Sequence, residues 1–126
     1  MKNLILLVDD NPTTLFYNED VIGEVFPDFD LKSYEKSKEL LADFLNNQFN
    51  EYQRVILFLD LNMPDYSGFE MLEEIEEEID DLDFLDVIVL TSSKLKSDTE
   101  KATRFPQIKG YIEKPVTPQK IKEILG

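Results

Sequence analysis

The chemistry this sequence can offer is concentrated in Asp9, Asp10, Asp60, Thr91 and Lys114. Each stands at or just past the end of an apolar run. Leu4–Val8 leads into Asp9-Asp10, Val55–Leu59 into Asp60, Val87–Leu90 into Thr91, and Tyr111-Ile112 into Glu113-Lys114-Pro115. Singly these residues are ordinary: an Asp after a strand is commonly a turn or helix cap, a Thr a strand-end residue, a Lys a surface charge, and Lys-Pro a bend. Together they make a reactive set. Packed carboxylates repel one another and call for a hard cation, and Mg²⁺ binds through a few carboxylates while keeping waters. A carboxylate is also a nucleophile toward phosphorus. Phosphoryl transfer needs charge neutralised on the equatorial oxygens, which a cation, the Lys114 ammonium and the Thr91 hydroxyl would provide.

The rest of the composition narrows the field. The chain has 126 residues, no Cys and no His. That excludes disulfides, thiolate or imidazole metal sites, histidine triads and a phosphohistidine carrier. Any phosphoryl group must therefore arrive from another molecule. A reducing cytoplasm is the expected compartment. The net charge of −14 repels nucleic acid and anionic membranes and suits cations and basic protein partners. No apolar run is long enough to span a membrane. The N-terminal run ends at Asp9-Asp10 without a small-residue cleavage site, so it reads as a first strand.

The elements that must position these residues alternate in type. Leu4–Val8 predicts a strand, and Asn11-Pro12 caps and opens a helix to about Glu24. A weaker strand follows near Phe29–Tyr34, then a helix over Glu35–Phe49 with Leu41, Phe44, Leu45 and Phe49 at helical spacing. Val55–Leu59 reads as a strand buried on both faces. Ser67-Gly68-Phe69-Glu70 is a capping box for a helix that buries Met71, Ile75 and Ile79. Val87–Leu90 is a fourth strand, and Ser97-Asp98-Thr99-Glu100 caps a short fourth helix to about Phe105. Tyr111-Ile112 belongs to a brief fifth strand, and Thr117-Pro118 opens a short fifth helix to Leu125. The stretch from Glu70 to Asp86, both included, holds ten acids and no Lys or Arg, read as a solvated helix face and loop.

This alternation predicts an α/β protein with a doubly wound parallel sheet, one domain over residues 1–126. Ligands of such sheets sit beyond the C-terminal strand ends, which is where the reactive set falls.

The motifs Leu6-Leu7-Val8-Asp9-Asp10-Asn11, Leu59-Asp60-Leu61-Asn62-Met63-Pro64 with Ser67-Gly68, Val89-Leu90-Thr91-Ser92, and Tyr111-Ile112-Glu113-Lys114-Pro115 together resemble the receiver domain of two-component response regulators. The resemblance covers nearly the whole chain. It implies a flavodoxin-like (βα)5 fold with strand order 2-1-3-4-5. It implies Asp60 as phosphoacceptor and Asp10 and Asp60 as direct Mg²⁺ ligands, with Asp9 acting through water and Asn62 through its backbone carbonyl. Thr91 and Lys114 correspond to the hydroxyl and ammonium that meet the phosphoryl group. The Lys114-Pro115 bond is expected to be cis, and Thr91 and Tyr111 to form the switch. The resemblance also implies that Asn62 and Ser93 occupy positions that tune phosphoryl lifetime.

The resemblance further implies a sensor histidine kinase, a phosphotransfer protein or a small phosphodonor upstream, and slow self-dephosphorylation without enzymatic turnover of a substrate. Downstream it implies a protein target on the surface of the fourth helix, fifth strand and fifth helix. The short fifth helix and Pro106 depart from the usual pattern on that surface. A monomer, or a weak phosphorylation-dependent dimer, is expected. The chain is either a stand-alone receiver or the N-terminal part of a longer regulator. Two other readings use the same residues: a Mg²⁺-dependent aspartyl-phosphate hydrolase of the haloacid dehalogenase type, and a pseudo-receiver that binds partners unphosphorylated. The hydrolase order is the reverse, with the nucleophile near the N-terminus and the acidic pair late.

Overall fold

The computed structural model describes residues 2–60, 67–91 and 104–125. In order, the elements are β1 (Lys2–Val8), α1 (Pro12–Val25), β2 (Asp30–Tyr34), α2 (Ser37–Leu45), β3 (Tyr52–Asp60), α3 (Gly68–Glu78), β4 (Leu85–Thr91), β5 (Ile108–Glu113) and α4 (Pro118–Leu125). The strands form one parallel sheet in the order β2-β1-β3-β4-β5. This is the flavodoxin-like arrangement expected. Asn62, Ser93 and the helix expected from Ser97 lie outside the described residues.

The central strands are apolar on both sides because both sides are covered. Side chains alternate across a strand. Leu4, Leu6, Val8, Val55, Leu57, Leu59, Val87 and Val89 therefore share one core with Leu40, Phe44, Met71 and Ile75 of α2 and α3. Ile5, Leu7, Ile56, Phe58, Ile88 and Leu90 share the other with Leu15, Ile22 and Ile121 of α1 and α4. With right-handed crossovers, helices fall on both faces because the chain steps one way from β1 to β2 and the other way from β2 to β5.

Local signals set the helix starts. The Asn11 side chain accepts from the N–H groups of Thr13 and Thr14, at 2.9 and 3.2 Å, and Pro12 takes the first turn. The Ser67 hydroxyl accepts from Glu70 N–H at 3.4 Å. The second helix is shorter than its spacing predicts. It stops at Leu45, and Asn47 takes a left-handed φ of 57°, a conformation that Asn tolerates better than most residues. Phe49 still reaches the core, by a turn, and its ring packs edge-on to Phe44 at 4.9 Å. Leu45, expected inside, is 38% exposed because the chain turns away there. Ile79 caps α3 and is half-buried, while Leu72 joins the core in its place.

Strand register carries the site. Val8 is opposite Leu59, Asp60 opposite Leu90, and Thr91 opposite Glu113. The strand ends thus finish side by side at one rim.

The last helix seats on β5 through Gly110. A Cβ built there would lie 2.9 Å from Ile124 Cγ2, closer than packed carbons allow. Gly110→Ala is expected to lower stability by about 1–2 kcal/mol through overpacking, read from the denaturant midpoint. Pairing it with Ile124→Ala should recover part of that loss.

Candidate functional site

Asp9 and Asp60 end apolar strands whose neighbours cover them, so their carboxylates are almost wholly removed from water, at 1% and 2% exposure. Asp10, one residue further out, is exposed. Carboxylate oxygens of Asp9, Asp10 and Asp60 all lie within 4.8 Å of one another. Between the two buried acids reaches Lys114. Its Nζ is 2.8 Å from Asp60 Oδ2 and 3.3 Å from Asp9 Oδ2.

Each member is held by backbone. Asp9 N–H donates to the Tyr34 carbonyl at 3.1 Å, extending the β1–β2 ladder by one rung. Asp9 Oδ1 accepts from Asn11 N–H at 3.0 Å, so the residue that caps α1 also orients the acid. Lys114 N–H donates to the Thr91 carbonyl at 2.8 Å, and the Lys114-Pro115 bond is cis. Thr91 is buried at the end of β4. Tyr111, opposite Val89, is half-buried and packs on the core that holds Phe105.

The electrostatics follow from burial. Loss of water pushes the Asp9 carboxyl above its usual range, the Asn11 N–H opposes this, the Asp60 charge adds to it, and Lys114 opposes it. Burial by itself would lower the Lys114 ammonium, but the hydrogen bond and charge of Asp60, joined by Asp9, outweigh that and raise it above its ordinary value. Three carboxylates and one ammonium leave a negative rim. An all-oxygen donor set of that charge fits Mg²⁺.

Of the residues singled out by sequence, Asp9, Asp10, Asp60 and Lys114 are brought into one cluster. Thr91 adjoins it through the Lys114 backbone, Tyr111 lies on the neighbouring strand, and Asn62 is outside the described residues. Sequence reasoning passed over Tyr34, whose carbonyl holds Asp9, because a backbone acceptor carries no side-chain signature. It also passed over Lys120, whose ammonium donates to the Glu113 and Pro115 carbonyls at 2.9 and 3.0 Å. Its signal was a Lys three residues after Thr117, where Ser67 is followed by Glu70.

The family model for the response regulator receiver domain matches residues 5–126. The two-component response regulator ORR26 of Oryza sativa subsp. japonica is 32% identical over 124 residues, which is 95% of this chain and 19% of that protein. The sensory transduction protein LytT of Oceanobacillus iheyensis is 30% identical over 81 residues, 64% of this chain and 31% of that protein. The chain thus spans less than a third of either relative. Among solved structures, a two-component response regulator from Cytophaga hutchinsonii matches with TM-score 0.84 at 22% identity, over 99% of this chain and 96% of that one. The chemotaxis protein CheY4 of Vibrio cholerae matches with TM-score 0.75 at 18% identity, over 99% and 97%. These two likenesses show the fold. The family match covers nearly the whole chain, and the protein belongs to the response regulator receiver domain family.

Lys114→Met should cost the metal-free protein about 2 kcal/mol, because it leaves Asp9 and Asp60 buried without a cation. The folded-state ammonium titrates above its ordinary 10.5, so its contribution is complete below that value and is lost as pH rises through the raised one. The stability difference between wild type and variant, followed from pH 9 to 12 by chemical denaturation, should shrink toward the alkaline end.

Proposed function

We propose that Asp60 is the phosphoacceptor of a single receiver domain spanning residues 1–126, and that its phosphorylation switches a protein-binding surface. The observation that carries this reading is the Lys114 ammonium, 2.8 Å from Asp60 Oδ2 and beside two further acids. An Asp60 carboxylate oxygen attacks phosphorus, the bond from phosphorus to the donor's leaving group breaks, and that group departs with the electron pair. Lys114 balances charge on the transferred oxygens, and the Thr91 hydroxyl takes another of them. Asp10 and Asp60 would hold Mg²⁺ directly and Asp9 through water. The ion supplies charge neutralisation on the phosphoryl oxygens.

The phosphoryl group adds about −1.5 to −2 charges at neutral pH. Thr91 and Tyr111 form the two-state element that this charge biases, and β5 with α4 contributes to the surface that a target protein reads. The donor is a sensor histidine kinase, a phosphotransfer protein or a small acyl phosphate. We place this chemistry in the cytoplasm. Among the described residues no helix is long and apolar enough to cross a membrane.

Incubation with acetyl phosphate and Mg²⁺ should give an acid-stable, base-labile adduct on wild type and none on Asp60→Asn. Labelling that persists in Asp60→Asn would sink the assignment. Mg²⁺ should also stabilise the unmodified protein, by about 2.7 kcal/mol at one hundred times its dissociation constant. Asp10→Asn should lose most of that increment in a thermal melt, and a wild type that gains nothing from Mg²⁺ would favour the pseudo-receiver reading.

A further inference from the structure

The segment carrying Lys114 is tied down on both sides of that residue. Lys114 itself donates its N–H to Thr91 on β4. Downstream, Tyr17 of α1 donates its phenolic O–H to the Val116 carbonyl at 3.2 Å. The most direct tie is Lys120. Its Nζ spans the carbonyls of Glu113 and Pro115, at 2.9 and 3.0 Å, and these are the residues that flank Lys114.

Lys120 is in the wrong place for helix stability. It sits in the first turn of α4, where unpaired N–H groups and the helix dipole favour an acid and disfavour a cation. A capping box would put Glu or Gln at this position. The first half of such a box is present, since Thr117 Oγ1 accepts from Lys120 N–H at 3.3 Å. In α3 the corresponding position, three after Ser67, is Glu70. A residue that breaks a local rule is commonly explained by a task outside its own element. Here the ammonium folds back onto two backbone acceptors in charge-assisted hydrogen bonds, which are stronger than neutral ones.

We propose that Lys120 is a positioning residue for Lys114: by bridging the Glu113 and Pro115 carbonyls, it fixes the backbone from which the Lys114 ammonium reaches Asp60. The role rests on Lys114 acting on the phosphoryl group at Asp60, as argued above. A long flexible side chain delivers its charge to one point only if its root is fixed, and displacement of a catalytic group by about an ångström is enough to slow a reaction severely. Lys120 is also part of α4, so the same bridge ties Lys114 to a helix of the expected output surface.

Two substitutions separate this role from helix capping. Lys120→Gln supplies the capping-box residue and removes the ammonium, whereas Lys120→Arg keeps donors for both carbonyls. Each is compared with wild type in the cold, where circular dichroism shows native protein. The readouts are acylation of Lys114 by an amine-reactive ester, located by mass spectrometry, and the rate of Asp60 labelling by acetyl phosphate at saturating Mg²⁺. Lys120→Gln should acylate Lys114 about threefold faster and label Asp60 about three- to tenfold more slowly, with its melting midpoint held or raised. Lys120→Arg should behave as wild type. Unchanged Lys114 reactivity and labelling in Lys120→Gln overturn the proposal, as does an equal defect in Lys120→Arg. If wild type takes no label while Lys114 reactivity still responds to Lys120→Gln, the positioning role stands and the phosphoacceptor assignment falls.

Discussion

Two carboxylates almost wholly out of water cannot sit side by side without a compensating charge, and in this protein the Lys114 ammonium supplies it. Much of the architecture serves that contact. Asp9 and Asp60 end adjacent strands, so the β1–β3 register decides how near they come. Lys114 follows β5, two strands away from Asp60 across β4. Its ammonium reaches them from a backbone pinned to Thr91. In the phosphoacceptor role proposed for Asp60, an ammonium already beside its carboxylate would need little reorganisation when charge is delivered to that spot.

The two cores explain how the rim stays rigid. Strands apolar on both faces are gripped by α2 and α3 on one side and by α1 and α4 on the other. Residues at their C-terminal ends therefore inherit fixed backbone positions. Beyond those ends, short-range side-chain contacts take over. Asn11 illustrates the economy, since its side chain caps α1 while its backbone N–H orients Asp9. Tyr34 does something similar at the edge of the sheet. Its carbonyl extends the ladder to Asp9, and its buried phenol donates to Asp43, tying β2 to α2.

How much of this was legible in the sequence depended on the kind of signal. Continuous apolar runs ending in Asp9, Asp60 and Thr91 revealed the parallel sheet and the composition of its rim, because both follow from periodicity and from where such sheets place ligands. The ends of α2 were less legible. Leu45 and Phe49 share a helical spacing with Leu41, and that spacing masked the tolerance of Asn47 for a left-handed turn between them. The strands were under-read for a related reason. Residues such as Tyr52 and Arg54 at the start of β3 are polar or half-exposed, yet they pair, since a ladder neighbour supplies hydrogen bonds whatever the side chain. Tyr34 and Lys120 escaped because their contacts at the site run through backbone carbonyls, accepting from Asp9 in one case and receiving the ammonium in the other, and carbonyls look alike in every sequence.

The outer strands of the sheet have a consequence of a different kind. β2 and β5 each present one side without a strand neighbour in the described sheet, a natural template for pairing with another chain. Both are short, with five and six residues. β2 carries Asp30 and Lys32 on exposed positions, and β5 carries Lys109 and Glu113 on exposed positions. Any chain that tried to add a strand would have to strip water from charges at either border. The apolar interior is thus fenced by strands poorly suited to recruiting more of their kind, and growth of the sheet into an aggregate is discouraged at its margins.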